Sequence, residues 1–258
     1  MKKDRTATRK EMPFLDHLEE LRWRIIKSLV PVLVFMTAGF PFTGKVLDLL
    51  TLPNNHLAHP AKLIFLKPTG MLMVRMEMSL AIGLMVSTPI ILYQIWQFIA
   101  PGLLPKEKRW VLPGIFFTTL CFLVGAFFAY AVLIPVILPF LFGMGTDTIQ
   151  ATININDYIG FVIRLMLMSG LIFELPVLSF ALSRIGILNP RFLRKYRRHA
   201  IVLIFIFAAI VTPPEPVSQC LLAIPLVFLY EISILVSRFA YRKRNRHQSD
   251  SETVAGSK

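Results

Sequence analysis

The chain has 258 residues, of which 55% are hydrophobic and 17% charged, with a formal net charge of +13 and a mean hydropathy of +0.63. That is far more apolar than a soluble domain of this size needs, and the basic residues fall in blocks between apolar runs, so the sequence reads as a polytopic membrane protein and not as a nucleic-acid binder. Cys121 and Cys220 each lie inside an apolar run without C-x-x-C or Cys/His spacing, which excludes a disulfide framework or a metal site as a reading and leaves them as small packing residues.

Residues 1–12 form a basic arm, with Lys2, Lys3, Arg5, Arg9 and Lys10 and few apolar groups, and are expected to be disordered. From Pro13 to Lys27, Phe14, Leu15, Leu18, Leu21 and Ile25 recur at helical spacing, while Asp16, Glu20, Arg24 and Lys27 occupy the opposite face. This spacing predicts an amphipathic helix lying on the membrane surface. Ser28 to Gly44 is uncharged and just long enough to cross as a first span. No convincing small-x-small cleavage site follows it, which argues against a removable leader.

Lys45 to Arg75 is mixed in composition and reads as an external loop containing Pro53, with room for short helices. The second span, Met76 to Phe98, carries Gly83 and Pro89, so a kink is expected; Tyr93, Trp96 and Phe98 make an aromatic belt at its end, and Pro101 stops it. The third, Val111 to Leu138, is long enough to require tilting. The fourth, Tyr158 to Ser183, contains both Arg164 and Glu174, which are expensive in an apolar helix. Two short runs, Ala200 to Val211 and Val217 to Tyr230, flank Thr212-Pro213-Pro214-Glu215-Pro216 and read as a hairpin of two short spans. Residues 238–258 form a polar tail, so residues 13–237 are expected to be one six-helix domain.

Lys and Arg concentrate before Ser28, in the Lys106-Glu107-Lys108-Arg109 loop, between Arg184 and Arg198, and from Arg238 onward, whereas the first external loop holds Lys45, Lys62, Lys67 and Arg75. This bias places both termini inside across six spans. The fold expectation is therefore an all-α polytopic membrane protein with six transmembrane helices, N-in and C-in, an amphipathic interfacial helix first and two short spans last.

Two groups of carboxylates then face the inner surface: Glu19 and Glu20 on the first helix, and Glu107 in the loop after the second span. Each could take one guanidinium of an arginine pair through two parallel hydrogen bonds. The blander alternatives are that Glu20 pairs with Arg24 four residues on, and that Glu107 only neutralises its basic neighbours. Glu174 and Pro176 together make a polar notch, since proline leaves the carbonyl of Ile172 without its usual donor. That notch suits a polar residue of a partner helix, a proton or water site, or a partner within the chain such as Gln219 or Arg164. The motifs of a membrane hydrolase are missing. A secondary transporter using an Arg164/Glu174 pair is the alternative function, although inverted repeats are not visible.

Four segments resemble one family: Phe14-Leu15-Asp16-His17-Leu18-Glu19-Glu20-Leu21-Arg22-Trp23-Arg24; Pro89-x-x-Leu92-Tyr93-Gln94-x-Trp96-x-Phe98-Ile99-Ala100-Pro101-Gly102-Leu103; Phe173-Glu174-x-Pro176; and Thr212-Pro213-Pro214-Glu215 through Ser218-Gln219. In this order they are similar to TatC, the core subunit of the twin-arginine protein translocase, from about Glu11 to Tyr241. The resemblance implies a receptor for Arg-Arg signal peptides in the bacterial cytoplasmic membrane. It also implies export of folded proteins driven by the proton-motive force, with single-span partner subunits and self-association in a complex. It implies no cofactor and no enzymatic step. On it, Glu20 and Glu107 match the positions that contact the arginine pair, Arg22, Phe98 and Leu103 match positions tied to that site, and Glu19 adjoins it. Glu174 matches a polar site in the fourth helix, with Pro176 beside it. Gln219 and Pro53 match positions associated with partner contact or translocation, and Glu215 lies in the same motif as Gln219. Leu104-Pro105 after Leu103, and the lack of a glutamate in Pro68-Thr69-Gly70-Met71-Leu72, depart from the family pattern.

Overall fold

The computed structural model describes residues 14–99, 111–143, 152–185, 188–212 and 215–255. The predicted surface helix and first span are one continuous helix, α1 (Phe14–Gly39), because nothing between Lys27 and Ser28 stops it and Pro31 is tolerated within it. The break comes at a 3-10 turn, Phe40–Phe42, that opens with Pro41, and the chain then re-enters a helix, α2 (Thr43–Asn55). The segment read as the first external loop thus begins as one of the short helices expected there.

Pro53 lies in the last turn of α2. It has no N–H to give the carbonyl of Leu49, four residues earlier, and the Tyr130 hydroxyl donates to that carbonyl instead at 2.8 Å. Tyr158 does the same for the Leu50 carbonyl at 3.0 Å. Beyond α2, the buried Asn54 side chain exchanges two 3.1 Å hydrogen bonds with the backbone of Ala61. This feeds β1 (Lys62–Ile64), which pairs in parallel with β2 (Thr152–Asn154), Leu63 opposite Ile153. The strands immediately precede α3 (Gly70–Ile99) and α6 (Ile155–Phe173), so those two helices start at the same membrane surface.

The third span is α4 (Val111–Phe128), a π turn at Ala129–Leu133, and α5 (Ile134–Phe142). The wide turn sits directly ahead of Pro135, where a proline would otherwise clash with the preceding turn. The span continues past its expected end at Leu138. The fourth span is split: α6 ends at Phe173, Glu174 forms a one-residue turn, and α7 (Leu175–Ile185) resumes with Pro176 near its start. A short helix, α8 (Pro190–Lys195), leads into α9 (Arg197–Val211), and α10 (Pro216–Ala255) completes the order.

Among the described residues, five stretches are long and apolar enough to cross a membrane: Leu18–Asn55, Gly70–Phe98, Leu112–Phe142, Ile155–Arg184 and Pro216–Tyr241. With 15 residues, α9 is the remaining short run; at about 1.5 Å per residue it rises roughly 22 Å, less than the hydrocarbon thickness. The last span differs from the reading as a short one. No proline or glycine follows Pro225 before Ala255, so α10 runs without interruption past Tyr230 and through the expected tail boundary at Arg238.

Small residues bring the helices together, as expected where lipid removes the usual hydrophobic drive. On the α1–α3 seam a methyl group at Gly83 would stand 2.6 Å from the Val32 carbonyl and 2.9 Å from the Met36 nitrogen, and Ser79 donates to the Met36 carbonyl at 3.0 Å. On the α4–α6 seam, Gly125 meets Phe173 and Ser169, and Gly170 meets Phe122. Ser183 and Ser237 share a 2.5 Å hydroxyl bond between α7 and α10. Val74, Met78, Ile134, Ile137, Ile159, Val162 and Leu226 form the centre. Phe117, Phe127, Leu203, Ile210 and Phe239 are exposed, as residues facing acyl chains are. Gly83→Leu is expected to destabilise the α1–α3 seam by about 1–3 kcal/mol, whereas Gly44→Ala, with nothing within 4 Å, is expected to be neutral. Thermal unfolding of the two purified variants in detergent checks both.

Candidate functional site

The α1–α3 seam decides where Glu20 lies. Glu20 is half-buried on the N-terminal part of α1, and its Oε1 accepts from Arg24 Nε at 2.9 Å and also from Arg24 Nη2. The i,i+4 pair anticipated from spacing is therefore formed. Arg24 in turn lines an apolar groove of about 340 Å³ between α1 and the last turns of α3, with Leu21, Ile25, Gln94, Ile95 and Phe98. Glu19 and Arg22 are exposed beside it. Leu103 and Glu107 lie outside the described residues. Of the signal-peptide residues anticipated from the sequence, Phe98 lines this groove, and Glu20 adjoins it through Arg24, its ion-pair partner.

Glu174 is a different kind of carboxylate. It is 2% exposed, and among the described residues neither carboxyl oxygen has a hydrogen-bond partner. It lines a cavity of about 100 Å³ with Leu92, Trp96, Thr118, Leu178 and Leu182. Trp96 is fixed there because its ring packs on Gly114, where a methyl group would come within 2.9 Å of Cζ2. The turn that aims Glu174 inward follows from the sequence: Pro176 lacks a donor for the Ile172 carbonyl, and the backbone N–H of Glu174 closes the end of α6 onto Leu171 and Ile172.

Neither internal partner considered for Glu174 reaches it. Gln219 Nε2 donates to the Phe205 carbonyl at 2.9 Å, tying the start of α10 to α9. Arg164 Nε donates to the Gly160 carbonyl at 2.9 Å and lies beside Glu77. Arg164 and Glu174 stand about 15 Å apart along one helix, which removes the coupling pair a secondary transporter would use. Glu215 is half-buried ahead of α10; its carbonyl accepts from the Gln219 N–H at 3.1 Å and the Ser218 hydroxyl at 3.2 Å. Pro53 belongs to the α2–Tyr130 contact.

Glu77 is the charged residue that the sequence reading passed over. It stands one residue inside the predicted start of the second span, where a carboxylate is easily taken for a flank.

Fold and site together define a polytopic helical membrane protein with a carboxylate beside a surface groove and a second carboxylate buried at mid-helix. Residues 16–225 match the family described as TatC, Sec-independent protein translocase protein. The chain is 38% identical over 239 residues to the Sec-independent protein translocase protein TatC of Aquifex aeolicus, covering 92% of this chain and 99% of the relative. It is 37% identical over 244 residues to that of Desulforapulum autotrophicum, covering 94% and 89%. A crystal structure of a twin-arginine translocase receptor, TatC, superimposes with a TM-score of 0.81 at 37% identity, covering 87% of this chain and 99% of the other. The chain belongs to the TatC family, the Sec-independent protein translocase components.

Because Glu174 has no partner to lose, Glu174→Leu is expected to leave thermal stability in detergent unchanged or raised, by up to about 2 kcal/mol. A clear loss of stability would mean that the carboxyl holds the helices together.

Proposed function

We propose that this chain is the receptor of the twin-arginine translocase in a bacterial cytoplasmic membrane, with both termini cytoplasmic and six spans. It binds the Arg-Arg signal peptides of folded cargo at its inner surface and nucleates assembly with single-span partners and further copies of itself for export driven by the proton-motive force. The observation that supports this reading best is Glu20, half-buried and paired with Arg24 at an apolar groove containing Phe98. A carboxylate at the edge of an apolar groove suits a peptide whose basic residues precede an apolar run.

Glu20 and Glu107 each accept one guanidinium of the arginine pair, with Glu19, Arg22, Phe98 and Leu103 shaping the site. The Glu20–Arg24 pair is worth only a few tenths of a kcal/mol, so a bidentate guanidinium from a peptide displaces Arg24 readily. Lysine cannot offer that fork, which gives the preference for arginine. Glu174 acts later. Its buried carboxyl takes a polar group from a partner's transmembrane helix at the notch made with Pro176, while Gln219, Glu215 and Pro53 serve partner contact and translocation.

Photocrosslinking from position 107 in native membranes tests this. An Arg-Arg signal peptide is expected to crosslink, a Lys-Lys variant to lose the product, and Glu20→Ala to weaken it about tenfold. Glu174→Ala is expected to keep the crosslink and lose export. Equal crosslinking of both peptides, or loss of binding in Glu174→Ala equal to that in Glu107→Ala, would overturn the assignment.

A further inference from the structure

The α3–α6 seam carries an opposed pair of charges that the proposed translocation role leaves unused. Arg164 is exposed on α6, nine positions into the helix, and its Nε bonds the Gly160 carbonyl one turn nearer the helix start. Its guanidinium therefore climbs toward the surface at which α6 begins, as a long cationic side chain in lipid does. From α3, Glu77 reaches the same point: a methyl group at Gly160 would lie 3.0 Å from Glu77 Oε1 and 3.4 Å from Arg164 Nη2. Glycine at 160 is what leaves room for both. Among the described residues the two are not in direct ion-pair contact.

Deeper along the seam is an apolar recess of about 260 Å³ between α2, α3 and α6, lined by Leu50, Met78, Ala81, Met85, Ile163 and Leu167. Glu77 stands one turn ahead of Ala81, and Arg164 one turn ahead of Leu167. Since the β1–β2 pairing puts the starts of α3 and α6 at one surface, both charges lie at the end of the recess nearer that surface. A recess with this lining does not hold water. Exposed charge at this depth requires an occupant that answers both signs.

We propose that this seam binds one phospholipid with an amine-bearing zwitterionic headgroup: its phosphate on Arg164, its ammonium on Glu77 and an acyl chain in the recess. Guanidinium forks the phosphate oxygens, and the carboxylate accepts from the ammonium protons. An anionic headgroup without an amine could set its phosphate on Arg164 but would bring no cation to Glu77, leaving that carboxylate to face the lipid's net negative charge. Charge order and recess thus select an aminophospholipid over phosphatidylglycerol.

Native mass spectrometry of the delipidated full-length chain in detergent, offered phosphatidylethanolamine and phosphatidylglycerol with the same acyl chains, tests the proposal without reference to peptide binding or export. The wild type is expected to retain phosphatidylethanolamine in preference. Arg164→Gln is expected to lose both lipids roughly tenfold, and Glu77→Gln to keep lipid but lose the preference. Equal retention of the two lipids by the wild type, retention of neither, or an unchanged preference in Glu77→Gln would overturn it. If Arg164→Gln does not remain monodisperse, the Glu77→Gln comparison decides alone.

Discussion

A backbone carbonyl in lipid has no water to turn to, and this chain places prolines inside five of its helices, at Pro31, Pro53, Pro89, Pro139 and Pro225. Where the structure answers a proline, it does so with a feature that shapes the molecule. Tyr130 reaches across to the Leu49 carbonyl freed by Pro53 and so ties α2 to the third span. The π turn before Pro135 re-aims α5. Ahead of Pro176 the helix opens for one residue, and that residue is Glu174. A notch in an apolar helix is expensive in isolation; here it is the consequence of a ring that cannot donate, and the carboxyl occupies space that the ring creates.

The carboxylates would still be unplaced without close helix contacts. Gly83 against Val32 and Met36 sets how near α1 comes to α3, which puts the Glu20–Arg24 pair beside the end of α3 and Phe98. Gly125 and Gly170 do the same for α4 and α6, closing the cavity that Glu174 enters. Both sites are therefore built from small residues on helix surfaces, and the polar residues depend on backbone approach more than on one another.

Much of this was legible in the sequence. Apolar runs, the i,i+4 pair at Glu20 and the Glu174–Pro176 notch each follow from local chemistry, and the TatC motifs ordered them into a family. Contacts between distant segments were not legible. Nothing near Lys62 announces that three residues there will pair with Thr152–Asn154, because strands so short carry no period of their own. Glu77 was missed because it borders the predicted span, and its meaning depends on Gly160 in another helix. The length of α10 was underestimated because Val217 to Tyr230 was read as one short apolar run; the next residue, Glu231, is ion-paired to Arg197 at the start of α9 and the helix continues through it.

The contrast between Glu20 and Glu174 argues for two recognition events of different chemistry. At a partly exposed position near the N-terminal end of α1 a carboxylate can exchange one guanidinium for another, so Glu20 suits a reversible, charge-reading contact with a peptide in the proposed function. At 2% exposure and without a hydrogen-bond partner among the described residues, Glu174 gains from any donor able to reach it within the apolar zone, because an unmet polar atom there costs more than a hydrogen bond usually returns. A donor on a transmembrane helix meets that need without carrying bulk charge into lipid, whereas a peptide arginine would have to leave the surface to do so. In the function proposed above, the depth of each carboxylate separates a surface step that reads sequence from an intramembrane step that reads a helix.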